Sequence, residues 1–200
     1  MVDDMVANKL MFAFLVVLHL GGCNRAPPLS TKPIHSSLGF SFVPPPGVDW
    51  TETFGKNMIG YDKKTDPAMV TFIAGALEIK LDAPLRDQAA LLAFVRSKKD
   101  QWGGDGRFSA IDTSFLAEPG NANCVRYQMN VHDSGANIRK DLPFLIVQIA
   151  GRFCTHPVHP ASAVDIFYTM RHVPTFDDAV FKVEGNAFLH SLRIDPVPVG

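Results

Sequence analysis

Along residues 39–192 the apolar positions fall mostly into runs of period two, broken by two stretches of helical period. Gly39-Phe40-Ser41-Phe42-Val43 alternates and stops at Pro44-Pro45-Pro46-Gly47, which predicts a strand ended by a strong breaker. Residues 48–54 and 57–61 read as short strands and 69–81 as a longer one. In the second half of that longer run, Leu77, Ile79 and Leu81 share one face, with Glu78 and Lys80 on the other. Its first half is apolar on both faces. The change falls at Ala74-Gly75-Ala76 and predicts a bulge or bend at Gly75.

Asp82 is the expected cap of a helix reaching about Trp102, with Pro84 tolerated in its first turn. Leu85, Ala89, Leu92 and Val95, extended by Leu91, Phe94 and Trp102, form the expected buried stripe. Arg86, Arg96, Lys98, Lys99 and Asp100 fall on the solvent side, and Gly103-Gly104 ends the helix. Four more strands are predicted over 108–116, 123–132, 144–154 and 163–171. A last helix opens near Thr175, with Asp178 spaced as in a capping box. It buries Phe181, Phe188 and Leu192, with Val180 and Ala187 beside them. Short consecutive strands favour antiparallel pairing, so the expected class is α+β, one domain over 38–195 with a tail at 196–200.

The first segment has a different character. Residues 10–20 read LMFAFLVVLHL, apolar except for His19 and too short for a spanning helix, which needs about 20 residues. The run matches the apolar core of a signal peptide. Leu20-Gly21-Gly22-Cys23 follows directly and resembles the bacterial lipobox. That resemblance implies cleavage after residue 22, lipidation of Cys23, and attachment to the cell envelope facing the periplasm. Asn24 in place of an aspartate points to the outer rather than the inner membrane. Asp3 and Asp4 outnumber Lys9 ahead of the apolar core, and a start at Met5 would restore a positive end. The alternative is an ordinary secretory signal with an incidental cysteine. Residues 23–37, rich in Pro and Ser, are expected to form a flexible tether in which His35 is solvated.

Composition narrows the function classes. The chain has 200 residues, 46% apolar and 20% charged, and a net charge of -1, which excludes wholesale disorder. Without residues 1–22 it carries 18 basic and 18 acidic side chains, so it has no electrostatic footprint for nucleic acid. With Cys23 assigned to lipid, Cys124 and Cys154 remain as a pair in an oxidising compartment. A hairpin that pairs them is centred on residue 139, inside the Gly- and Asn-containing loop 134–143. The same register pairs Val125, Tyr127, Met129 and Val131 with Leu145, Val147, Ile149 and Phe153 on an apolar face. Opposed residues lie about 4.5–5.5 Å apart at Cα, so a Cys124–Cys154 disulfide is expected.

Candidate chemistry is sparse. Cys154, His156 and His159 have spacings that suit zinc ligands, and Cys154–His156 or Cys124–His132 could form a nucleophile pair. A disulfide would remove the sulfur from either role, and the two prolines of this stretch read as a rigid connection. No metal or cofactor is therefore expected. Trp102-Gly103-Gly104-Asp105-Gly106 fits no phosphate or dinucleotide fingerprint. Arg126 and Arg152, with Arg171 on a neighbouring strand, form a polar face that reads as salt-bridged or as an anion site.

The run from Gly39 to Trp50, with its Gly-Phe-x-Phe strand, Pro46-Gly47 and Trp50, resembles the opening of the PsbP/Mog1-like superfamily. The closing strand Phe167-Tyr168-Thr169-Met170-Arg171 before a C-terminal helix is similar too. The resemblance implies an antiparallel sheet flanked by two main helices, an α/β/α sandwich, with accessory and binding roles and no catalytic residues. The expected function is a non-enzymatic binding or accessory role in the envelope. The membrane is reached through the lipid, the partner is an envelope protein, and His156, His159, Arg152 and Arg126 are the candidate binding residues. Two alternatives stand beside it. One is a metal-binding protein or hydrolase centred on Cys154, His156 and His159. The other is an immunity-type inhibitor of a periplasmic toxin.

Overall fold

The computed structural model describes residues 28–64, 70–100, 106–135, 142–176 and 179–195. Cys23, Asp178 and the Gly103-Gly104 stop lie outside them. Seven antiparallel strands form the main sheet: β3 (Trp50–Phe54), β4 (Met58–Lys64), β5 (Thr71–Lys80), β6 (Phe108–Ala117), β7 (Cys124–Asp133), β8 (Leu145–Thr155) and β9 (Ser162–His172). Their order is β3-β4-β5-β9-β8-β7-β6, so β9 closes the meander of β6 to β8 onto β5. Three short strands, β1 (Ile34–His35), β2 (Phe40–Phe42) and β10 (Arg193–Ile194), make a second sheet in the order β1-β2-β10. The helices are α1 (Gln88–Asp100) and α2 (Ala179–Ser191). The class is α+β.

Period-two alternation gives each face of the main sheet its own core. Trp50, Tyr61, Phe72, Ala74, Val164, Ile166 and Met170 cluster with Phe181 and Phe188 of α2. Val125, Tyr127, Met129, Val147, Ile149 and Phe153 cluster with Leu91 and Val95 of α1. On β7 and β8 the apolar residues of the second cluster are the odd-numbered ones, as the alternation requires. Cys124 pairs with Cys154 in register, their Cα atoms 4.2 Å apart, and the two form the disulfide.

Several expectations need correction. α1 begins at Gln88, not after Asp82, and its cap is Asp87, whose Oδ1 accepts from Ala90 N at 2.8 Å. Leu81, just before Asp82, is held to the turn ahead of β9, its N bonding to Ala161 O at 2.8 Å. Gly75 makes no bulge: pairing runs unbroken through Gly60↔Gly75 and Gly75↔Phe167. It provides room instead, because a Cβ there would stand 3.0 Å from the Phe167 ring. The irregularity falls in β6, between Ala110 and Asp112. Residues 34–37, expected in the tether, are tied to the fold. Ile34 and His35 pair with β2, Ser36 is buried, and His35 Nδ1 meets Asp195 Oδ2 at 3.2 Å. Val180 and Ala187 are exposed, whereas Glu184 is buried on α2. There it accepts from Trp50 Nε1 at 3.0 Å and pairs with Lys63 at 2.9 Å.

Candidate binding cavity

Leu91, Val95 and Lys99 recur every four residues, so they form one stripe of α1, and all three are buried against the sheet. The expected solvent position of Lys99 is therefore corrected. On β9 the same face of the sheet carries Ala163, Asp165 and Phe167. Lys99 Nζ stands 2.6 Å from Asp165 Oδ2, and the Tyr127 hydroxyl donates to Asp165 Oδ1 at 2.7 Å. The Lys99 ammonium also lies 4.3 Å from the centroid of the Tyr127 ring. Both carboxylate oxygens have a donor, which is what allows a buried charge to stand under a helix. Burial, and then the adjacent Asp165 carboxylate, hold the Tyr127 phenol well above its ordinary value of 10.0, so it stays a donor. Tyr127 reaches β9 across β8 because Gly151 lies opposite it in the pairing.

This trio belongs to the lining of a cavity of about 280 Å³ between α1 and the sheet. The rest of the lining is almost wholly apolar, with Leu77 and Ile79 from β5, Phe94 from α1, and Ile149 and Phe153 from β8. Exposure is graded along it. The trio, Val95, Ile149 and Phe153 are buried and make the floor, while Met58 and Lys98 are exposed and mark the rim. An apolar cavity with a few convergent polar groups, one of them with a displaced pKa, is the usual form of a small-molecule site.

The residues singled out from sequence lie elsewhere. His156 is buried at the end of β8 and fully engaged. Its Nδ1 accepts from Val158 N at 3.2 Å and His159 N at 3.0 Å, and its Nε2 donates to Asp195 O at 3.0 Å. The one ring lone pair, on Nδ1, is already taken by these two backbone N–H groups. His156 also packs against Gly39, whose φ of +82° lets the chain turn without a side chain. His159 is exposed, beside Ser37, Leu38 and Pro84. Glu118 comes within 4.8 Å of both cysteine sulfurs, but the sulfurs are bonded to each other and the carboxylate holds Arg152.

Arg126 and Arg152 are opposite one another in register, on the α2 side of the sheet. Arg152 is bound to Glu118 Oε2 at 3.0 Å and Leu189 O at 2.9 Å, which makes it a salt-bridged residue. Arg126 is exposed and lines a separate cleft of about 150 Å³ with Ser114, Gln128 and Asn186. Arg171 is on the other face and pairs with Asp133 at 2.8 Å. The sequence reading missed Lys99, Asp165 and Tyr127. Two signals for them were present: the Leu91-Val95-Lys99 spacing, and a carboxylate inside the apolar run 163–168.

Comparison with known proteins adds little. No protein-family model matches the chain, and no curated protein matches it. A solved structure, the human StarD13 (DLC2) lipid transfer and protein localization domain, is similar at 11% identity and a TM-score of 0.28. The match covers 74% of this chain and 90% of that one. A likeness that loose carries no argument about architecture or ligand. Among the described residues, no helix is long and apolar enough to cross a membrane.

Proposed function

We propose that this chain is a lipid-anchored cell-envelope protein with a non-enzymatic binding role, exercised in the cavity between α1 and the sheet. The observation that carries the reading is the cavity itself, with apolar walls, a floor closed by the Lys99–Asp165–Tyr127 trio, and a rim at Met58 and Lys98. The signal-peptide core and Leu20-Gly21-Gly22-Cys23 support the anchor, and the Cys124–Cys154 disulfide supports an oxidising compartment. On this reading Cys23 carries the lipid, the protein faces the periplasm from the outer membrane, and its protein partner is a component of the envelope. The two apolar clusters on opposite faces of the sheet, one with each helix, support an α/β/α sandwich of the PsbP/Mog1-like kind.

Native mass spectrometry of the full chain isolated from bacterial envelopes tests both halves of the reading. The expected result is a mature N-terminus at Cys23 carrying acyl mass, and a non-covalent small-molecule adduct that is lost in Leu77→Trp. An unacylated N-terminus overturns the anchor. An adduct retained by Leu77→Trp, or no adduct at all, counts against the cavity as the site.

A further inference from the structure

We propose that the ligand of this cavity is a single-chain anionic amphiphile, its apolar chain against the floor and its head at Lys98; the inference rests on the reading of the cavity as the binding site. Three observations lead there. The first is size. An apolar protein cavity of about 150 Å³ accepts a six-carbon ring, so 280 Å³ accommodates an apolar group on the order of ten carbons.

The second is the gradient of polarity. Leu77, Ile79, Phe94 and Phe167 line the middle of the cavity and are only half-buried, so an apolar group placed there would remove further surface from water. A wholly polar ligand would gain nothing from these walls. A wholly apolar one would leave the charged rim unused.

The third is charge. The charged lining residues are Lys98, Lys99 and Asp165. Lys99 and Asp165 pair with each other at 2.6 Å, which leaves the positive charge of Lys98 in excess at the rim. The Lys98 ammonium stands 5.6 Å from the centroid of the Phe94 ring, a cavity wall, so its stem follows the apolar edge while its charge stays in water. A negative head at that position would be complementary, and it would set which end of the ligand enters first.

Calorimetric titration tests this on the full chain bearing Cys23→Ser, which carries no acyl group. The probes are decanoate and decanol, which share a chain and differ in the head. Decanoate is expected to bind saturably, one per chain, and more tightly than decanol. Lys98→Gln is expected to weaken decanoate by about three- to fivefold, the factor an exposed ion pair supplies, and to leave decanol unchanged. Leu77→Trp is expected to abolish both, with Ile79→Trp as the second cavity-filling variant should the first not fold. Decanol binding as tightly as decanoate, or decanoate indifferent to Lys98→Gln, overturns the anionic class and leaves the cavity reading in place. Binding of neither probe, or binding of both unaffected by the filling variants, overturns the cavity reading and this inference with it.

Discussion

The ring of Tyr127 occupies the space that a side chain at Gly151 would need: a Cβ on residue 151 would lie 2.3 Å from the Tyr127 Cζ and hydroxyl oxygen. The two are partners in the β7–β8 ladder, so the phenol lies over the strand and reaches Asp165 on β9. Gly151→Ala must therefore displace Tyr127, break its bond to Asp165, or push β8 away. The expected cost is about 1–3 kcal/mol from overpacking, read as a lower urea midpoint. Gly151→Ala combined with Tyr127→Phe would still clash with the ring, whereas Tyr127→Ala would relieve it. A neutral Gly151→Ala would mean that the ring does not lie over β8.

The Lys99–Asp165 pair makes a second prediction. Both side chains are about one-tenth exposed or less. Lys99→Met alone or Asp165→Leu alone is expected to cost about 3–5 kcal/mol, because each leaves the other charge buried. The double variant should recover a large part of that loss, and a double-mutant cycle by denaturant unfolding measures it. Additive losses would show that the two charges do not depend on each other.

The disulfide joins residues 30 apart in sequence, buried in the α2-side core at one end of the β7–β8 ladder. Its loss in Cys124→Ser with Cys154→Ser is expected to cost about 4 kcal/mol on the chain-entropy estimate for such a loop. The double variant is the proper comparison, since it leaves no lone thiol. Unfolding of oxidised wild type against the double variant reads the difference, and equal midpoints would count against a stabilising role.

How much of this was legible in the sequence depends on how local the cause was. The β7–β8 register followed from two cysteines and the parity of their neighbours, and the structure has that register. Main-sheet strands came out within a few residues because period-two alternation reports burial directly. The start of α1 did not, because Asp82 and Asp87 are both competent caps by residue type, and it is Asp87 that takes the capping bond, from Ala90 N. β1 and β10 were too short to carry a period. Lys99 was misplaced because a lysine on a buried stripe makes sense only with its partner, 66 residues away in sequence. The candidate cavity was invisible for the same reason: its lining comes from α1 and five strands, and no segment of it forms a motif.

Acid sensitivity has an identifiable source. Asp133 is 1% exposed and accepts from Arg107 Nε at 2.8 Å, with Arg171 on its other oxygen. The Arg107 hydrogen bonds, with smaller help from the charge of Arg171, hold its carboxyl below the ordinary 3.8 against the opposing effect of burial. A depressed folded value means the stabilisation is present in full above the unfolded value and is lost as pH falls through the folded one. Denaturant midpoints measured below about pH 4 should therefore drop more steeply for wild type than for Asp133→Asn. Parallel curves would remove Asp133 from the acid limb.

The alkaline limb follows from the tyrosines, of which the chain has three. Burial raises the phenols of Tyr61, Tyr127 and Tyr168 above the ordinary 10.0, and at Tyr127 the Asp165 carboxylate adds to it. Unfolded, each would ionise near 10.0; folded, each resists. The folded state thus binds more protons than the unfolded one above that pH, so stability must fall as pH rises past it. Tyrosinate absorbance should stay flat through pH 10 while the circular dichroism is native, then rise for all three groups together as the fold is lost. Because no exposed tyrosine exists to give an early step, the shape of that curve is decisive. A titration with the ordinary midpoint and an unchanged dichroism would show that these phenols are not sealed, and would open the floor of the cavity at Tyr127 to solvent.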